Sequence, residues 1–350
     1  MTIGTVEPVV PRSLERWQSW QKRRRRLSRA LGTVRHAAGT RPDEPQLLLT
    51  GQPDADVVVG FDTTNPPMVR TFEAVIRTLQ KRGITVSIVD AGDARLRPVI
   101  DAPTGPIDPR ALRAATYMSI GHFARVGYAL WWASRRQGGR FVVLQHGLLT
   151  PFVPPLAPGS HLLAWTPADA QYWSAARADV TSTVVGSAPL AWARQDSARL
   201  KRAVEHLDRP LFLGQMHGAE LSWPTKITSA LTFCTQTGAD YRPHPSEISL
   251  LSRSAHRALR TAGVTVAIDA APLTSVDRPL VSMFSTGLVE AAAAGLRTYG
   301  FAQTPPRWLN SFWDRYRIGT WPHTPTQVDP TLLQHTPETA VDAIVHEVAP

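Results

Sequence analysis

Five short stretches of this 350-residue sequence gather side chains that can bind anions or move protons. They are Asp62 in GFDTTN, Gln145–His146–Gly147, Gln215–Met216–His217–Gly218, Arg242–Pro243–His244–Pro245 and Ser285–Thr286–Gly287. Each follows a short apolar run that reads as a strand, and in open parallel sheets ligands sit at the carboxyl ends of strands. The stretch YRPHPSE (241–247) sets His244 between two prolines, which suit neither helix interiors nor central strands. The imidazole is therefore expected in a stiff loop beside the Arg242 cation. FSTGLVEAAAAG places two hydroxyls and a glycine before a small-residue helix, whose first N–H groups and dipole favour an anion such as phosphate. Glu290, one turn into that helix, is placed to accept ribose hydroxyls. Gln145–His146 follows four apolar residues, and an imidazole titrating near neutral pH suits a general base. Asp62 is the second choice for that role. Plainer readings stand beside these: a buried structural His146, a helix capped by Ser285 or Thr286, a mere turn at YRPHP, or an Arg242–Glu247 pair.

The elements that must position these residues follow a βαβ rhythm. DVVVGFD (56–62) and ITVSIVD (84–90) read as strands flanking a helix over 66–83, with Pro near its start and Gly at its end. A long helix is expected over roughly 109–137, then the strand RFVVLQHG (140–147), then a further strand, helix and strand ending at VTSTVVGSAPL. After a polar, charged helix around 191–208 the rhythm restarts. PLFLGQM, ADYRPHP, RPLVSMFST and LRTYGFA read as its strands, and WPTKITSALTFCTQTG, HRALRTAG and GLVEAAAAG as its helices. A last helix, PETAVDAIVHEV, has Thr336 as N-cap and Pro337 at its first position. The pattern predicts an α/β fold of two Rossmann-like domains with an interdomain cleft. The expected boundaries are a basic amphipathic segment over 1–40, a first domain over 41–195 and a second over 196–320. Residues 321–350 would carry a C-terminal helix packing back on the body.

Composition narrows the class. No run approaches the roughly 18 apolar residues of a membrane span, and the N-terminus lacks a signal-peptide core. Cys234, the single cysteine, excludes an internal disulfide framework and a cysteine zinc site. A soluble cytosolic protein is expected. Of the net charge of +10, residues 1–36 supply nine basic against two acidic side chains, or +7. In that segment Leu14, Trp17, Trp20, Leu27, Leu31 and Val34 form one stripe, with arginines on the other face. Tryptophans beside a basic cluster suit an anionic membrane surface reached through residues 12–36. Packing on the protein's own body is the second reading and nucleic acid the third. A Gly-rich nucleotide fingerprint, a GK[ST] phosphate loop, an HExxH helix and a nucleophile elbow are all absent.

QHG at a strand end, RPHP in the second half and STGLVEAAAAG after it resemble nucleotide-dependent transferases of the two-Rossmann (GT-B) type. The nearest resemblance is to the CDP-glycerol glycerophosphotransferase group of teichoic acid synthesis, with cytidylate-using sialyl- and Kdo-transferases beside it. It covers roughly 140–305, and VVGSAPL resembles the segment that closes the first domain in such enzymes. The sequence departs from the pattern in having Ser282 and Met283 where an Asp usually precedes the serines. The resemblance implies an enzyme that moves a sugar or polyol-phosphate from a cytidylyl-type donor to a hydroxyl of a cell-envelope glycan or lipid-linked acceptor. Arg242, His244, Ser285, Thr286, Gly287, Glu290, Gln215 and His217 would bind the donor. His146 or Asp62 would be the base, with Gln145 and Gly147 on the acceptor side. Neither metal nor cofactor beyond the nucleotide donor is expected, and the location would be cytoplasmic, peripheral on the inner membrane face. A sugar-nucleotide epimerase of the same fold, a non-catalytic RNA-binding protein and an inactive GT-B-like protein are the alternatives.

Overall fold

The computed structural model describes residues 13–30, 46–62, 66–92, 94–175, 177–197, 209–267, 273, 276 and 278–345. Its elements, in chain order, begin with helix α1 (Leu14–Ala30) and strands β1 (Leu48–Thr50) and β2 (Val57–Phe61). Helix α2 (Pro66–Lys81), β3 (Val86–Asp90), β4 (Thr104–Pro106) and β5 (Thr116–Ser119) follow. Next come α3 (Arg125–Gln137), β6 (Arg140–Leu144), β7 (Ser160–Ala164), α4 (Pro167–Trp173), β8 (Thr181–Val184) and α5 (Ala188–Ser197). The second half holds β9 (Leu211–Leu213), α6 (Trp223–Thr237), β10 (Asp240–Arg242), α7 (Leu250–Thr261), β11 (Leu280–Ser282) and α8 (Thr286–Ala293). It ends with β12 (Thr298–Gly300), α9 (Arg307–Arg315) and α10 (Pro337–Val345).

Two sheets organise these elements, in the two-fold α/β arrangement expected. The larger has the order β4-β1-β3-β2-β5-β6-β7-β8, the smaller β10-β9-β11-β12. The smaller is parallel throughout, and the larger is parallel from β3 to β8. Only β1, paired with β3 and β4, runs antiparallel at the edge. Alternation along the strands fills both faces of the larger sheet. Val57, Val59 and Phe61 pack with Met68, Phe72 and Ile76 of α2, whereas Val58 packs with Val126 and Leu130 of α3. Helix α10 adds Ala340, Val341 and Ile344 to the α2 side, and Thr336 caps it by accepting from Thr339 N–H at 3.1 Å.

One expectation is corrected. Residues 109–137 are not one helix: a turn of 3₁₀ helix at Pro109–Ala111 leads into β5, and α3 starts only at Arg125. The buried run Thr116–Ser119 belongs between β2 and β6, and its alanine- and arginine-rich flanks disguise it as helix. Helix α9 over RWLNSFWDR was not anticipated. Trp17 and Trp20 of α1 pack on the protein itself, the second of the readings given for that stripe. Trp17 sets its ring edge-on to Phe123 at 5.6 Å and donates its indole N–H to the Phe152 carbonyl at 2.8 Å. Trp20 stacks on Phe152 at 5.0 Å. Expectations for residues 1–12 and 31–40, and for the linker over 198–208, lie outside the described residues.

Candidate functional site

In each sheet the chain changes winding direction once, between β2 and β5 in the larger and between β9 and β11 in the smaller. Such a switch point leaves a crevice at the strand ends. A cleft of about 760 Å³ opens where the carboxyl ends of the two sheets meet.

The smaller sheet supplies a polar wall. Gln215 after β9 is buried, and its Oε1 accepts from the Ser282 hydroxyl (3.1 Å) and from Phe284 N–H (2.7 Å). Gln215 is among the residues lining the cleft, and with its oxygen engaged the NH₂ end is the part of the amide left to donate. Arg242 and His244, at the end of β10, line the same wall. His244 Nδ1 accepts from Ser246 N–H at 3.1 Å, so the neutral ring carries its proton on Nε2. The His244 ring stacks on His217, with centroids 3.9 Å apart. Desolvation at the cleft wall, then the neighbouring His217, hold the His244 pKa below its ordinary value.

At the start of α8, Ser285 is the helix cap, its Oγ accepting from Gly287 N–H at 3.1 Å. Thr286 Oγ1 accepts from Leu148 N–H at 3.4 Å, joining the two halves across the cleft. An oxygen that accepts in this way keeps its own O–H to donate, so both hydroxyls still serve an anion. Glu290 lines the cleft one turn deeper, and burial raises its pKa.

Helix α1 and the loops after β5, β6 and β7 supply an aromatic wall: Trp17, Phe123, Phe152 and Trp165, with His146 among them. The His146 ring lies 6.0 Å from that of Phe123, and its buried Nδ1 has no hydrogen-bond partner. Burial pushes the imidazole down to about 4. This corrects the expectation of a ring titrating near neutrality: His146 is held unprotonated, in the correct form to accept a proton but a weak base until charge develops beside it.

Two expected site residues lie elsewhere. Asp62 does not line the cleft; its carboxylate accepts from Val126 N–H (3.0 Å) and Gly127 N–H (2.7 Å) at the start of α3. Ala124, at the cap position of α3, has no side-chain oxygen to offer, and Asp62 supplies one from the end of β2. Gln145 is also buried away from the lining, donating to Gly147 O (3.0 Å) and Asp169 Oδ2 (2.9 Å) and accepting from Trp165 N–H (2.8 Å). It shapes the His146 loop rather than the cleft surface. Gly147 packs beside the α8 start, where a Cβ would come 3.7 Å from Thr286 Oγ1.

Sequence reasoning passed over several residues here. Phe123 follows β5, whose apolar run ending at Gly121 marks a sixth strand end. Trp17, Gln21 and Phe152 come from segments with no strand-end signal at all. Glu247 reads from the sequence only as a partner for Arg242. Its carboxylate instead accepts from Met216 N–H (2.8 Å), Tyr241 Oη–H (2.9 Å) and His256 Nε2 (2.6 Å). Among the described residues no group of three or more His, Cys, Asp and Glu side chains is gathered as a metal site would be.

The arrangement can hold an anion against the polar wall and present a neutral imidazole to a group lying on the aromatic wall. No family model and no curated protein matches the sequence. Among solved structures, the chain is similar to UDP-N-acetylglucosamine 2-epimerase from Rickettsia bellii, at 11% identity and TM-score 0.45, over 84% of this chain and 95% of that one. It is similar to the wall teichoic acid polymerase TagF at 10% identity and TM-score 0.40, over 96% and 98% of the two chains. UDP-glucose:anthocyanidin 3-O-glucosyltransferase in complex with UDP aligns at 9% identity and TM-score 0.39, over 85% and 91%. Likeness at this level assigns no residue a role, so roles rest on the geometry of the cleft.

Proposed function

We propose that this protein is a nucleotide-dependent transferase, moving a sugar or polyol-phosphate from a cytidylyl-type donor to a hydroxyl of a cell-envelope glycan or lipid-linked acceptor. One observation carries the reading: the anion-binding groups of the smaller sheet and His146 of the larger open into the same cleft. The Nε2–H of His244, Arg242, the Gln215 amide, the two hydroxyls and the first N–H groups of α8 hold the donor phosphates. They also stabilise the negative charge that builds on the leaving nucleotide. Glu290 accepts from ribose hydroxyls. The acceptor lies on the aromatic wall, and its hydroxyl proton passes to His146 as the new bond to carbon or phosphorus forms and the bond to the nucleotide phosphate breaks. Because His146 is unprotonated at neutral pH, it is ready for that step. The cytidylyl donor is favoured by the RPHP and STG motifs, and the Lys22–Arg26 run suits an anionic membrane surface near the cleft.

The test is a thermal-shift screen with CMP, CDP, UDP, GDP and their sugar or glycerol conjugates. A ligand bound only by the folded chain, at a hundred times its Kd, stabilises it by about 2.7 kcal/mol. One nucleotide class should raise the Tm, and His244→Ala should weaken the response. No response to any of them overturns the reading. Turnover of a donor without any acceptor would instead make the protein an epimerase.

A further inference from the structure

We propose that the stacked histidines divide their work. When a phosphate-bearing ligand enters, His217 takes up a proton and binds it as a cation backed by Glu247, while His244 stays neutral and donates through Nε2. The proposal rests on the phosphate-binding reading of the cleft and adds to it the protonation state of the two rings.

The rings are 3.9 Å apart and 21° from parallel, a separation at which two positive charges repel strongly, so the pair takes one proton. Geometry decides which ring receives it. His244 already accepts from Ser246 N–H through Nδ1. A proton there would set donor against donor and break the bond that shapes the RPHPSE turn. His217 is the opposite case. Its Nδ1 is buried, has no hydrogen-bond partner and lies 4.0 Å from Glu247 Oε1. That distance is too long for a hydrogen bond but short for a charge pair, so a proton on Nδ1 meets a carboxylate waiting for it. His217 lines the cleft, and a proton on Nδ1 leaves Nε2–H to donate to the ligand.

Glu247 is held for this task. It is buried, and the Met216 amide, Tyr241 and His256 fix both of its oxygens. Its pKa is lowered: nearby His217 and the bonds from His256, Met216 and Tyr241 together outweigh the desolvation, the largest single influence, which acts to raise it. Gly214 leaves it room, since a Cβ at that position would come 2.6 Å from Glu247 Oε1. Other charges face the pair. Lys226 on α6 binds the carbonyls of His217 (2.8 Å) and Gly218 (2.9 Å), and Arg242 lines the same wall; both oppose a further proton. Glu220 and Glu290 line the cleft and favour one, and His256 lies behind Glu247. The incoming phosphate tips the balance by placing an anion on the open side of His217, opposite Glu247. The proton comes from solvent, and no other bond is made or broken.

The test measures proton uptake by calorimetry at pH 7.5 in buffers of differing ionisation enthalpy. The probes are whichever of CMP, CDP, UDP and GDP binds, and inorganic pyrophosphate, which needs no nucleotide recognition. At this pH the terminal phosphate of a nucleotide is already mostly dianionic, its second pKa being about 6. Pyrophosphate still carries a proton of its own, so its uptake is read against its own ionisation in the same buffers. Wild-type protein should take up close to one proton per ligand, and His244→Asn should still do so while binding more weakly. His217→Asn and Glu247→Gln should lose the uptake and bind roughly 10- to 100-fold more weakly. His217→Asn lies on a loop and keeps the test valid if Glu247→Gln fails to fold. Nucleotide binding without uptake, or uptake surviving His217→Asn, overturns the proposal and leaves the transferase reading intact. Uptake with pyrophosphate but no binding of any nucleotide does the reverse, and binding of neither probe overturns both. Nitrogen-15 spectra of the ligand-free histidines add a direct check, and a His244 proton found on Nδ1 at neutral pH also overturns it.

Discussion

The Tyr316 phenol joins the two halves of the molecule, donating to Asp169 Oδ1 at 2.6 Å and accepting from Leu149 N–H at 2.7 Å. Asp169 in turn holds Gln145, and Gln145 holds the Gly147 carbonyl beside His146. A residue just beyond α9 thus sets the loop that carries the candidate base on the other sheet. Tyr316→Phe strips a buried carboxylate of a donor, which costs about 1.5–3 kcal/mol for a bond to a charged group. Urea unfolding should show that loss, and unchanged stability would mean the bond contributes nothing.

Asp62 is predicted to matter for folding and not for ligand binding. Asp62→Ala uncaps α3 and should cost about 1–2 kcal/mol. The nucleotide-induced rise in Tm should survive in this variant. A folded Asp62→Ala protein that no longer responds to nucleotide would return Asp62 to the site.

The α1 tryptophans are spent on the body of the protein. Replacing Trp17 and Trp20 with alanine together removes the contacts to Phe123 and Phe152 and should lower stability by about 1–3 kcal/mol. Co-sedimentation with anionic liposomes, if wild-type protein shows it, should persist, because the Lys22–Arg26 run is untouched. Liposome binding that vanishes with the tryptophans would favour a membrane role for the stripe.

Acid should destabilise the fold through its buried neutral histidines. His122 is buried, its Nδ1 lacks a hydrogen-bond partner, and burial followed by the Arg177 charge pushes it down to about 4 from the ordinary 6.5. Between those values the unfolded chain binds more protons than the folded one, so stability is full above 6.5 and falls as pH drops toward 4. A shift of that size corresponds to about 3 kcal/mol at the acid end. His122→Phe should flatten the acid limb of a stability-against-pH curve. An unchanged limb would place its origin in other groups.

Much of the machinery was legible in the chain because its causes are local. Apolar runs bounded by Gly and Pro mark β2, β6, β9 and β11, and the prolines around His244 specify a stiff turn whatever surrounds it. The hydroxyls and glycine ahead of GLVEAAAAG mark a capped helix start by the same local logic. Strand Thr116–Ser119 escaped because four residues are too few to show a period against helix-forming neighbours. Nothing within the sequence determined that Asp62 would cap a helix more than 60 positions away, since that bond depends on β2 lying next to β5. The same holds for α1, whose stripe needed an apolar partner that periodicity alone could not identify. Glu247 stood in view in YRPHPSE, yet its partners come from β10, the loop after β9, and α7. The residue types and their stiff turns were written in the sequence, whereas the pairing of His217, His244 and Glu247 was decided only when the strand ends met, because a charge finds its partner through space.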